Sequence, residues 1–118
     1  MRSKTGIDMP RMTACVVLMT TLLASCATAQ QGSLIGANKA IANQDYFECL
    51  NKLSQGEALG DFSESINAQI TFLRGFCLEG LDRKAEAHAL YRNLIARYPN
   101  SNWAAQGKAR LDIDAKAR

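Results

Sequence analysis

The stretch LEGLDRKAEAHALYRNLIARYPNS, Leu78 to Ser101, contains one whole helix together with its start and stop signals. Gly80 suits the left-handed residue that closes a preceding helix, and Asp82 is placed to cap the next. Ala87, Tyr91, Leu94 and Tyr98 then recur at helical spacing as a single apolar stripe, leaving Arg92, Asn93 and Arg97 to water. Pro99 stops the helix because it has no amide hydrogen and restricts the residue before it. Ser101 is placed to start another helix.

Outward from this segment the same punctuation continues. Asp45-Tyr46-Phe47-Glu48 and Asp61-Phe62-Ser63-Glu64 each set an acid three residues before a glutamate, an arrangement in which the two side chains satisfy otherwise unpaired N-terminal amides. The spacing predicts five helices, over about Leu34 to Ala42, Asp45 to Gln55, Phe62 to Glu79, Arg83 to Tyr98 and Asn102 to Ala115. No segment keeps a two-residue alternation, so the fold class is all-α. The third helix is apolar on two sides, with Ile66, Ile70, Leu73 and Cys77 on one and Phe72 and Phe76 on another. In a chain this short, neighbours on both sides place it at the centre of the domain, unless one side awaits a partner.

The N-terminal region has a different character. Arg2, Lys4 and Arg11 precede an apolar or small run from Thr13 to Ala24, which is shorter than the roughly 20 residues needed to span a bilayer and fits an export signal. Leu23-Ala24-Ser25-Cys26 resembles the bacterial lipobox. That resemblance implies diacylglycerol on the Cys26 thiol and cleavage after Ser25, so that residues 1–25 leave as a signal peptide. It makes 26–33 a lipidated tether and 34–118 the folded domain. An ordinary secretory peptide cut after Ala27-Thr28-Ala29 is the alternative. Ala27 stands where aspartate would favour inner-membrane retention under enterobacterial rules, which favours the outer membrane.

Removing the leader changes the charge argument. The 118-residue chain has 14 basic and 11 acidic residues, and removal of Arg2, Lys4, Arg11 and Asp8 leaves 11 and 10. The basicity therefore belongs to the leader, and no basic face recommends nucleic acid. The 93 residues from Cys26 to Arg118 suffice for one small domain.

Gly75, Ala87, Tyr91 and Pro99 reproduce the spacing of the tetratricopeptide repeat, and Leu78 to Ser101 resembles the second helix and exit turn of such a unit. A degenerate earlier copy places Ala37, Cys49 and Leu53 at the corresponding positions, with Asp61 where proline is expected. The offset between the copies is 38 residues where the family has roughly 34. The resemblance implies antiparallel helix pairs stacked as a short solenoid with the last helix as a cap. Two repeats and a cap are marginal as a solenoid. The resemblance also brings Cys49 and Cys77 onto adjacent helices, either as a disulfide or as two buried thiols. It further implies that Gln69, Phe72, Phe76 and Glu79 line a protein-binding groove, unless the first helix covers the two phenylalanines.

Chemistry is sparse in this chain. His88, the single histidine, stands beside Ala87 on a partly exposed face without a paired acid, thiol or second histidine, and Asp112 and Asp114 read as a solvated helix end. Cys49 and Cys77 lack further clustered ligands for a metal. No nucleophile elbow or glycine-rich phosphate loop is present, so the expectation is a non-enzymatic protein without cofactor or metal. The family implies protein binding, as an adaptor or assembly factor for an envelope protein or peptide segment. An inhibitor or immunity lipoprotein acting on one enzyme is the rival. Replacing Cys26 by alanine is expected to abolish palmitate labelling and move the protein from the membrane to the soluble periplasmic fraction. Unchanged fractionation would leave the secretory alternative standing.

Overall fold

The computed structural model describes residues 31–60 and 62–118. The leader, Cys26, the first part of the tether and Asp61 lie outside the described residues. Every regular element among the described residues is helical: α1 over 31–42, α2 over Tyr46–Glu57, α3 over Glu64–Gly80, α4 over Lys84–Arg97 and α5 over Asn102–Lys116. Residues 31–33, expected in the tether, already belong to α1, and Ser33 packs closely against Gly56 of α2. None of these helices is long and apolar enough to cross a membrane.

Consecutive helices run antiparallel and stack as pairs. Gly36 and Ser33 of α1 meet Lys52 and Gly56 of α2, while Tyr46 and Cys49 of α2 meet Gly80 and Cys77 of α3. Gly75 of α3 meets Tyr91 of α4, and Leu94 and His88 of α4 meet Gly107 and Asp114 of α5. The last helix then returns parallel to α3, with Trp103 5.5 Å from the Phe72 ring and Arg110 over Phe76. The third helix thus touches α2, α4 and α5, the central place that its two apolar sides require.

Its glycines explain how closely the helices approach. A Cβ on Gly75 would lie 2.6 Å from the Tyr91 ring, and one on Gly80 would lie 2.4 Å from the ring of Tyr46. The Tyr91 ring cannot yield easily, since it is wholly buried. Gly80 is therefore not the left-handed closing residue expected from sequence; it is the last residue of α3 and lies beneath an aromatic ring. The positive φ falls on Asp82, at 63°, so this aspartate cannot serve as the cap of α4. Arg83 takes that position without a side-chain cap and instead pairs with Glu86, at 2.7 and 2.8 Å.

The α1–α2 and α3–α4 turns are copies of each other. At the first, Gln44 has φ 59°, with Asp45 N donating to Ala40 O at 2.8 Å and Gln44 N to Ile41 O at 2.9 Å. At the second, Arg83 N donates to Leu78 O at 2.8 Å and Asp82 N to Glu79 O at 2.9 Å. This pair of bonds around a left-handed residue satisfies the final helical carbonyls. The two turns stand 38 residues apart, the offset at which Ala37, Cys49 and Leu53 repeat as Gly75, Ala87 and Tyr91. All six of those residues are buried.

Caps follow the sequence at Asp45 and Ser101, and besides Asp82 they depart from it at the start of α3. Asp45 accepts from Glu48 N at 3.1 Å, and Ser101 accepts from Ala104 N at 3.0 Å. Glu48 does not reach back to complete its box, because its carboxylate is held by Asn51 and Lys52. The third helix is capped by Ser63, whose hydroxyl accepts from Ile66 N, so it starts two residues after the expected Asp61.

The Cys49 and Cys77 sulfurs lie at disulfide-bonding distance, with their Cα atoms 6.4 Å apart and a sequence separation of 28. Both side chains are fully buried, so the bridge ties α2 to α3 inside the core. Closing a loop of that length stabilises the folded chain by about 3 to 4 kcal/mol through the entropy of the unfolded state. Reduction is therefore expected to lower the unfolding free energy by roughly that amount in urea titrations. Identical titrations with and without reductant, with the thiols shown to be free, would exclude the role.

Candidate functional site

The chemistry of this chain gathers at the junction of α3, α4 and α5, where each helix contributes polar groups from adjacent turns. Glu79 stands one residue before the end of α3. Lys84, His88 and Tyr91 line one side of α4 at helical spacing, and Arg110 and Asp114 are one turn apart on α5. Because α4 runs antiparallel to both neighbours, its first half lies against the end of α3 and the second half of α5. That topology, and not proximity in sequence, makes the cluster.

Arg110 donates from Nε to Glu79 Oε2 at 2.9 Å, and its Nη2 pairs with the same oxygen. The Glu79 side chain is 8% exposed, whereas Arg110 is half-buried and lies 5.2 Å over the Phe76 ring. The hydrogen bond to Glu79 stabilises the charged guanidinium and raises its pKa further, against the opposing effect of burial. His88 Nε2 lies 2.5 Å from Asp114 Oδ2, and Lys84 Nζ lies 3.7 Å from Asp114 Oδ1. Two buried side-chain atoms lack a hydrogen-bond partner among the described residues, Glu79 Oε1 and the Tyr91 hydroxyl. Burial pushes the Tyr91 phenol upward, and the negative charge of Glu79 adds to the effect, so the hydroxyl stays neutral.

This geometry corrects the reading of His88 and Asp114. The histidine is 8% exposed, and it has an acid partner 26 residues away in sequence. Asp114 is likewise held in an interhelical pair, while Asp112 is exposed as expected. The available signal was the spacing Lys84, His88, Tyr91, which runs beside the apolar stripe and widens the buried face of α4 toward its start. Glu79, His88 and Asp114 each offer a ligand atom, and these atoms lie within 4.8 Å of one another. The sequence reading looked for metal ligands only around Cys49 and Cys77 and missed this trio.

The four residues expected to line a groove have separate environments. Phe72 is buried against Tyr91 at 5.7 Å and Trp103 at 5.5 Å, and Phe76 is half-buried under Arg110. Glu79 is occupied by Arg110, and Gln69 is half-buried on the same helix. Phe72, Phe76 and Glu79 form the seat of α5, because the chain returns that helix parallel to α3 over the side the groove required. The cover comes from α5; the alternative had placed it with the first helix.

The described residues include two concavities. A recess of about 200 Å³ is lined by Tyr46, Phe76, Glu79, Lys84, Arg110 and Asp114 at the polar junction. A more open groove of about 550 Å³ lies at the other end, where Glu64, Arg97, Tyr98, Asn100, Asn102 and Trp103 meet around the α4–α5 turn. Arg97 stacks 5.6 Å over the Tyr98 ring there.

Compared with protein-family models, curated proteins and solved structures, the chain gives no match.

The hydrogen bond from His88 outweighs the opposing effect of burial and, with a lesser contribution from the charge of Lys84, holds the Asp114 carboxyl below the usual carboxylate range. A depressed folded pKa contributes stability that is complete above the unfolded value, about 3.9, and is lost as the pH falls through the folded value. Asp114→Asn is therefore expected to lower the urea midpoint at neutral pH, and the gap from wild type is expected to close below about pH 4. A gap unchanged in acid would show that the aspartate contributes by shape and not by charge.

Proposed function

We propose that this chain is a lipid-anchored, tetratricopeptide-like protein-binding module of the bacterial cell envelope, acting as an adaptor or assembly factor on the periplasmic side of the outer membrane. Its leader and Cys26 supply the anchor. The repeated turns, 38 residues apart, and the parallel return of α5 over α3 support the repeat reading.

The observation that carries the binding reading is the groove at the α4–α5 turn. Half-buried Tyr98 and Trp103 stand beside exposed Arg97 and Asn102, with Glu64 opposite, a mixture of aromatic area and charged rim suited to a peptide segment. Expected binding residues thus move from the middle of α3, where α5 is seated, to the end of the helix stack. Protein binding needs no catalytic constellation, and the polar junction described above is a set of interhelical pairs.

Affinity capture of the lipidated protein from crosslinked envelopes tests the reading. A multiprotein complex is expected, retained by wild type and reduced at least tenfold by Arg97→Ala. Because Arg97 is exposed, that variant is expected to melt within about 0.5 kcal/mol of wild type. Recovery of one stoichiometric hydrolase, with inhibition unaffected at Arg97, would support the inhibitor reading in its place.

A further inference from the structure

We propose that Glu79, His88 and Asp114 form a binding site for a borderline divalent cation of the zinc type, bridging α3, α4 and α5. One imidazole nitrogen and two carboxylates is a donor set that suits zinc, whereas magnesium and calcium favour oxygen alone. The three ligand atoms lie within 4.8 Å of one another. Around a tetrahedral zinc ion they stand about 3.3 Å apart, so side-chain adjustments on the order of 1 Å bring them into place.

An independent observation points to the same ligand. Glu79 Oε1 is buried and without a hydrogen-bond partner, although its sister oxygen is held by Arg110. The Tyr91 hydroxyl stands close to the same carboxylate and is likewise unpartnered, so neither buried group satisfies the other; an oxygen left in that state is costly at such depth, and a cation on the carboxylate satisfies it. Arg110 then becomes an outer partner that fixes the carboxylate's orientation, the usual support for a ligating acid.

Binding requires a rearrangement that the surroundings allow. His88 Nε2 and Asp114 Oδ2 now share a hydrogen, and the metal replaces it, leaving the imidazole neutral with its hydrogen on Nδ1. Lys84 opposes a cation at this place, but it is the weaker of Asp114's partners at 3.7 Å, and its side chain is 58% exposed and free to swing outward. The recess lined by Glu79 and Asp114 gives access, and water there completes the coordination. The ion would join α3, α4 and α5, whereas the cysteine bridge joins α2 to α3.

The single histidine makes the test direct. Full-length protein is titrated with zinc chloride while the imidazole nitrogens are followed by NMR. Expected are a large shift of His88 Nε2, reversal by EDTA, and a rise in melting temperature on the order of 10 °C at a hundredfold excess over the dissociation constant. Glu79→Gln, His88→Asn and Asp114→Asn are each expected to weaken binding at least about tenfold. The imidazole readout on wild type decides the matter if a variant fails to fold. The proposal is overturned by a His88 spectrum that ignores millimolar zinc, by zinc that binds without moving it, or by equal shifts with magnesium or calcium.

Discussion

The approach of α3 to the aromatic rings of its two neighbours is the constraint on which the rest of the domain depends. Gly75 and Gly80 let Tyr91 and Tyr46 lie where a Cβ would otherwise stand, and both are on the one helix that touches α2, α4 and α5. Side chains in a close-packed interior have little room to compensate for an added methyl group. A wider α3–α4 spacing would carry Tyr91 away from Phe72 and His88 away from Glu79. The aromatic core and the polar junction therefore share one geometric cause.

The same constraint explains what was legible in the sequence. Asp45, Pro99 and Ser101 were readable because caps and helix stops act within a few residues. The five helices were readable from caps, stops and apolar spacing together, and the central position of α3 from its two apolar sides. Gly80 was misread because its role is set by Tyr46, 34 residues earlier, and a glycine needed for close approach looks the same as one needed for a turn. Asp82 then takes the left-handed turn position, which aspartate tolerates better than most non-glycine residues.

The site was less legible than the fold because its residues are joined only by topology. Glu79, His88 and Asp114 sit on three helices, and no local spacing links them. The face of α4 had been assigned by its apolar residues, which left a histidine next to Ala87 looking half-exposed. Likewise Phe72 and Phe76 were correctly seen as a second apolar side of α3, yet what covers them depends on the direction in which α5 returns. The cysteine pair was easier, since the repeat resemblance had already brought Cys49 and Cys77 onto adjacent helices.

That return of α5 raises the question of what fixes its register, because its apolar face is thin. Ala104 and Gly107 are buried but small, and Trp103 and Leu111 are only half-buried. Small residues permit close packing without selecting one axial position, so hydrophobic burial alone leaves the helix weakly located. Arg110 and Asp114, one turn apart, supply two separate points of attachment, to Glu79 on α3 and to His88 on α4. Sliding α5 by one turn moves it about 5.4 Å and strands a buried carboxylate without its guanidinium. Breaking such a pair costs about 3 to 5 kcal/mol, even where the intact pair adds little net stability. The polar junction thus acts against the wrong registers more than in favour of the right one, and a ligand on Glu79, His88 and Asp114 would strengthen that selection.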